Sequence, residues 1–339
     1  MIQGEGGTTP PTGEPAGAPP QLCIGLPVFN GEDFLEESID SILDQSFDDF
    51  ELIISDNAST DRTPEIVRDY ATRDHRIRYH RHEQNLGASA NYDSVWRRCR
   101  SPYFKWAAAD DLYAPWFLER CLSVLEAEPV VGLAYPTAAF IGADSKVTYA
   151  FDDVVDMPDH WAEDRVRRTI QFIDALLEDG STANVMVFGV IRSDVLRRIN
   201  PIGNYFGADQ TFMAELVEAA PVVEVPGTGL FLRRHDGSSS TYEHAPAARA
   251  QQDFYDPSVR GAIRLRWNLR RRYLELLKVM ATAQVGLLGR MRLIVALVAA
   301  VLRRIAWRVD YERSRRRGAI ETAPGWPGGP VHWSEAAKN

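Results

Sequence analysis

Residues 22–66 read LCIGLPVFNGEDFLEESIDSILDQSFDDFELIISDNASTDRTPEI, and the way this stretch changes its hydrophobic period decides the fold class. It opens with an apolar run, LCIGLPVF (22–29), of the kind that fills a buried strand. After the Gly31–Asp33 turn the spacing becomes helical, with Phe34, Leu35, Ile39, Ile42 and Leu43 on one face. FELIIS (50–55) returns to a strand. PEIVRDYAT starts a second helix at Pro64, where a missing N–H costs nothing. The same alternation continues through IRYHRH (77–82), ASANYDSVWRRC (88–99), PYFKWAAA (102–109) and PWFLERCLSVLEAE (115–128). Such alternation predicts an α/β fold: a mostly parallel, Rossmann-like sheet with helices on both faces. No repeat of 20–50 residues is visible, which excludes a solenoid.

Ligands of such sheets bind beyond the carboxyl ends of the strands. The residues there are Pro27–Glu32, Asp56–Thr63, Asn85-Leu86-Gly87 and Asp110-Asp111. Loops are polar for ordinary reasons, and an Asp-Asp pair before Leu112 also suits a helix N-cap. Two adjacent carboxylates nevertheless repel unless a cation neutralises them. Mg²⁺ and Mn²⁺ favour such oxygens and bridge them to substrate phosphates.

Taken together, PVFNGEDFLEESIDSILDQSFDDFELIISDNASTDRTPEI resembles the opening of family 2 glycosyltransferases, which have the GT-A fold. The shared pattern is P-x-[YF]-N, a helix bearing S-[IL]-x-S-[IL]-x-x-Q, then an aspartate followed by S-x-D-x-T, with NLG and Asp-Asp behind. The resemblance covers about residues 22–240. It implies that Pro27, Phe29, Asn30 and Glu32 flank a nucleotide base and ribose, and that Asp56 accepts a hydrogen bond from the base. Asn85 is expected in the same crevice. Asp110 is the implied metal ligand, Asp111 the second, and Mn²⁺ or Mg²⁺ the implied cofactor. Ala108 stands where the family has the first aspartate of its acidic motif, which removes one ribose or metal contact.

Further on, TANVMVFGVIRSDVLRRI reads as a strand running into a short helix, and TFMAELVEAA as a longer helix. Asp209, just before the latter, matches the family's acidic residue beneath the acceptor. Inverting transfer needs one carboxylate to take the acceptor's proton, and partial burial tunes such a group toward neutrality. An N-cap reading fits Asp209 as well. After the strand GLFLRRH, Arg233 and His235 match the family's R-x-H element, which implies His235 at the metal or diphosphate. Arg233 and Arg234 are candidate diphosphate ligands, arginine being suited to bidentate phosphate contacts. The expected activity is transfer of a sugar from a nucleotide-diphosphate donor, a UDP-sugar first, to a glycan or lipid-linked hydroxyl. Two other classes compete. A nucleotidyltransferase would need a glycine-rich basic loop after its first strand, which Pro27–Glu32 lacks. A non-catalytic sugar-nucleotide or glycan binder is left open by Ala108.

The chain's charge is uneven. The formal net charge is -9, yet residues 260–317 hold sixteen Lys or Arg against three acids, leaving about -21 on residues 1–259. The acidic body argues against nucleic acid; the basic helical extension suits an anionic membrane surface. Its longest apolar run, Leu293–Leu302, is ten residues, short of the roughly 20 that a spanning helix needs. Three scattered cysteines and an N-terminus without a signal-peptide pattern point to the cytoplasm, with a peripheral position on the inner face of the membrane. The resulting division is a disordered stretch 1–20, a catalytic domain 21–245 (nucleotide half 21–130, acceptor half 131–245), a basic amphipathic helical extension 246–318 and an irregular tail 319–339. An oligomer is compatible with all of this.

Overall fold

The computed structural model describes residues 18–150, 164–178, 185–205, 207–235 and 262–316. The expected tail 319–339 and nearly all of the 1–20 stretch lie outside these residues, as does the start of the basic extension. Nine strands form one sheet: β1 (Leu22–Val28), β2 (Phe50–Asp56), β3 (Ile77–Arg81), β4 (Tyr103–Trp106), β5 (Leu112–Tyr113), β6 (Leu133–Ile141), β7 (Val147–Ala150), β8 (Val190–Arg192) and β9 (Val222–Arg233). The strand order is β3-β2-β1-β4-β8-β6-β9-β5, with β7 on β6. The first four strands are mutually parallel; β8 enters antiparallel, and β6 and β9 run with β1 again. The carboxyl ends of β1, β2, β3, β4, β6 and β9 therefore share one edge.

The first three helices are α1 (Leu35–Leu43), α2 (Thr63–Arg73) and α3 (Ala88–Arg98). Right-handed crossovers put α1 and α2 on one face, because β1, β2 and β3 step outward in a single direction. The chain then returns from β3 to β4 across the sheet, so α3 covers the other face, packed on β1 and β2. That approach is close. A β-carbon at Gly25 would come within 2.6 Å of the Val95 side chain and 2.9 Å of Phe104.

The other helices are α4 (Phe117–Ala127), α5 (Arg165–Glu178), α6 (Ser193–Leu196), α7 (Ala208–Ala219), α8 (Ala262–Thr282) and α9 (Leu287–Arg316). Helix α7 packs on α5 and α8, and α9 packs on α5 and α8. The basic helices are thus joined to the body: Leu276, Met280, Leu293 and Leu297 belong to the same buried cluster as β1 and β4.

The fourth strand is shorter than the apolar run 102–109 implies. Its last ladder bond runs from the Ala107 N–H to the Gly25 carbonyl. Next, the Tyr113 hydroxyl takes the Ala108 N–H at 2.9 Å, and Ser38 donates to the Ala108 carbonyl. Side chains thereby end the strand, and β1 and β4 part. Pro27 lies beyond the last β1–β4 pair, Gly25 with Trp106, on the side where an N–H would find no ladder partner.

Candidate active site

At the β1–β2–β3 end three loops are tied to one another by short polar side chains. The backbone N–H groups of Asn30, Gly31 and Glu32 donate to Ser59, Thr63 and Asp61 at 2.9–3.0 Å. In return the Asn30 and Glu32 side chains accept the Thr60 and Arg62 N–H groups. Asn57 reaches the third loop, donating to Asn85 and the Gly87 carbonyl and accepting the Leu86 N–H. Asp56, fully buried at the end of β2, accepts hydrogen bonds from the Ser59 N–H at 2.8 Å and the Tyr79 hydroxyl at 2.7 Å, with Arg81 at 3.5 Å. Asn30 and Ala58 carry positive φ of 51° and 63°, so both loops turn sharply. Over this floor stands Phe29, 46% exposed, an aromatic ring on which a base can stack.

The acidic pair is reached from a distant part of the chain. Strand β5 follows Asp111 directly and pairs with Leu230 and Phe231 of β9. This lays the residues after β9 beside the acidic loop. His235 Nε2 lies 3.1 Å from Asp110 Oδ2, and its ring stacks against Phe34 at 4.7 Å. The Arg233 N–H donates to Asp111 Oδ1 at 2.9 Å, while its guanidinium donates to the Asp110 carbonyl at 2.7 Å. Burial, reinforced by the neighbouring Asp110 charge, pushes the Asp111 carboxyl well above the usual range. Beneath it Lys105 is buried, its Nζ donating to the Trp106 and Phe188 carbonyls, and burial pulls its pKa down to about 7.

Asp209 lies in the first turn of α7. The helix starts from Gly207, whose φ of 76° is a left-handed conformation that glycine holds without strain. The Asp209 carboxyl is half-buried and its pKa is raised by that burial; the first-turn N–H groups and Arg272 of α8 pull the other way. Burial comes first in holding the Tyr92 hydroxyl protonated, and the charges of Asp110, Asp111 and Asp209 add to it.

Residues 23–151 match the family model described as Glycosyl transferase family 2. Residues 23–151 are a family 2 glycosyltransferase domain. The glycosyltransferase EpsJ of Bacillus subtilis is 37% identical over 101 residues, covering 30% of this chain and 29% of that protein. TuaG of the same organism, a putative teichuronic acid biosynthesis glycosyltransferase, is 32% identical over 106 residues, covering 31% and 42%. The chain thus matches less than half the length of these relatives. Among solved structures, TarS 1–349 of S. aureus, in complex with UDP-GlcNAc, superposes with a TM-score of 0.57 at 12% identity. That superposition covers 83% of this chain and 72% of TarS 1–349. The sheet and its crevice have the GT-A fold.

Within this glycosyltransferase domain and the strands that complete it, the expected site residues sort into two groups. Phe29, Asn30, Glu32, Asp56 and Asn85 gather at the crevice, Asp110 and His235 meet 3.1 Å apart, and Asp209 lies in the first turn of α7. Four take other positions. Pro27 is buried, and its part is to let β1 and β4 separate. Asp111, expected as the second metal ligand, is only 4% exposed and holds the Arg233 N–H at 2.9 Å. Arg233 is expected at the diphosphate, but its guanidinium faces inward to Glu37 at 2.9 Å, Ser145 at 2.9 Å and the Gly142 and Ala143 carbonyls. Each of its three side-chain nitrogens has a protein acceptor and the side chain is fully buried, so it does not open toward a phosphate. Arg234 lies over the Phe140 ring at 4.1 Å.

Sequence reading misses Tyr92, Tyr79, Glu37 and Arg272. Tyr79 has a faint signal, since a tyrosine in β3 two residues before the strand end faces β2. The other three act across the fold and leave no local pattern.

Proposed function

We propose that the protein is a metal-assisted, inverting glycosyltransferase. It would take a nucleotide-diphosphate sugar, a UDP-sugar first, and glycosylate a hydroxyl of a glycan or lipid-linked acceptor. The observation that carries this reading is the pairing of Asp110 with His235 at 3.1 Å, on the same carboxyl edge of the sheet as the Phe29–Asp56 crevice. The UDP-GlcNAc bound to TarS supports a UDP donor, and the name given to TuaG supports a place in polysaccharide biosynthesis.

Asp110 and His235 suit a divalent ion. They offer one hard oxygen and one imidazole nitrogen 3.1 Å apart, close to the ~3.0 Å between cis ligands of a six-coordinate ion. Among the described residues no three His, Cys, Asp or Glu side chains come together as a complete cage. A two-ligand site is what an ion shared with substrate phosphates requires. When bound, Mn²⁺ or Mg²⁺ neutralises charge on the leaving diphosphate. Phe29 stacks on the base and Asp56 closes the floor of the crevice. Asp209, with its raised proton affinity, takes the proton of the acceptor hydroxyl as that oxygen attacks the anomeric carbon from the far side. The configuration inverts in one displacement, and no enzyme-linked sugar forms.

The acceptor reading places the enzyme at the inner face of the cell membrane, reached through residues 260–317. Among the described residues no helix is long and apolar enough to cross a membrane. Calorimetric titration with UDP, GDP and dTDP, with and without Mn²⁺, tests the donor site. One nucleotide should bind tightly and lose that affinity without metal and in Asp110→Ala. Metal-independent binding of all three would remove the ion from the mechanism.

A further inference from the structure

Helix α9 has two apolar faces, and only one is used. Leu293, Leu297 and Ala300 are buried where the helix packs on α5 and α8. On the far side a second stripe runs from Leu288 through Met291, Val295, Val298 and Leu302 to Ile305, each between 49% and 73% exposed. Steps of three and four alternate without a break, so the side chains form a band about 100° wide along ~26 Å of helix. Arg292 and Arg303 are exposed along one flank of the band, and Arg313 is exposed at its C-terminal end. Arg303 also pairs with Asp174 of α5 at 2.5 Å.

Such a stripe suits either of two occupants, a second helix or a lipid surface. Charge decides between them. Helix α9 contains eight arginines against Asp310 and Glu312, and α8 adds five arginines and one lysine against Glu275. Two copies meeting along this stripe would bring those like charges together. An anionic leaflet turns the same charge into attraction: apolar side chains enter the headgroup boundary while arginines stay at phosphate level.

We propose that the Leu288–Ile305 face of α9 is a docking surface for an anionic phospholipid leaflet, with the helix lying in the plane of the interface. This deepens the membrane reading above by naming the face and the lipid chemistry, and it stands independently of whether sugar transfer occurs. The mode is monotopic, since neither α8 nor α9 has the length of apolar sequence to span.

The test is co-sedimentation of the full chain with vesicles of phosphatidylcholine alone or mixed with phosphatidylglycerol. Protein should pellet with the mixed vesicles and be released by salt, as screening predicts. Replacing Val295→Asp and Leu302→Asp together should lower the bound fraction about tenfold or more. Both positions are solvent-exposed, so the thermal melt and nucleotide binding of that variant should stay as in the parent. Absence of pelleting, or equal pelleting with phosphatidylcholine alone, overturns the proposal. So does a dimer in analytical ultracentrifugation that the double variant dissolves while the parent ignores vesicles, an outcome that would assign the stripe to a second copy.

Discussion

The two sides of the candidate site are built in different ways. On the nucleotide side, loops 29–32, 57–63 and 85–87 are cross-linked by their own short side chains, and partners lie about thirty residues apart, as in Asn30 with Thr60 and Glu32 with Arg62. On the acidic side, His235 meets Asp110 across 125 residues and Arg233 meets Glu37 across 196. One half of the site is thus local and redundant. The other half is long-range, and each of its contacts is made by a single side chain. Redundancy should buffer substitutions in the first half, and its absence should expose the second.

The sharpest way to break that contrast is at Asp209. Asp209→Asn should lower kcat about 10³-fold while leaving donor affinity unchanged, read by steady-state kinetics beside calorimetry. An unchanged kcat would remove the base from the acidic side altogether. Asp110→Ala should lower kcat/KM by about 10²-fold and abolish the metal dependence of nucleotide binding. If Mn²⁺ still tightened the nucleotide in that variant, the ion would have to be held elsewhere.

A stability comparison comes next in size. Arg233→Gln removes a fully buried guanidinium that braces two loops and α1 and should cost about 3 kcal/mol in urea denaturation, with the midpoint falling at constant slope. Glu37 is half exposed, so Glu37→Gln should cost much less, about 1 kcal/mol, after solvent screening. On the nucleotide side, Asn57→Ala should also cost about 1 kcal/mol and raise the donor KM rather than lower kcat. Equal losses for Asn57→Ala and Arg233→Gln would refute the idea of a buffered half.

The smallest effect concerns pH. Burial raises the Asp209 pKa, so its basic form, and with it kcat, is lost as pH falls through that raised value. Arg272 pulls the pKa down; Arg272→Gln should therefore move the acid limb of the kcat profile to higher pH. A limb that stays in place would mean that Arg272 serves only to pack α8 on Gly207.

What could be read from the sequence follows the same division. The order of β1–α1–β2–α2–β3–α3–β4 was legible because each element carries its own period, and the polar loops follow strands whose ends are marked by Asn30, Asp56 and Asn85. The family pattern also pointed to Asp110, Asp209 and His235 as candidates. The inward turn of Arg233 and Asp111 was not legible. It depends on β5, a strand of two residues with too little sequence to show a period, and on its pairing with β9 more than a hundred residues later. The strand before Ser193 was read, but the antiparallel direction of three-residue β8 leaves no mark in the sequence. Tyr92 sits in α3 with the spacing of an ordinary helix-face aromatic, and only the tertiary arrangement exposes its hydroxyl to the charges of Asp110, Asp111 and Asp209.

The two-residue β5–β9 pairing also limits how this site could be re-engineered. The acidic loop and the Arg233–His235 segment share one backbone ladder, and Arg233 reads both aspartates, one through its amide and the other through its guanidinium. A loop graft that carried residues 107–113 into a relative would arrive without the strand that sets its shape. A usable transplant has to move the two segments as one cassette, with position 37 matched to receive the arginine.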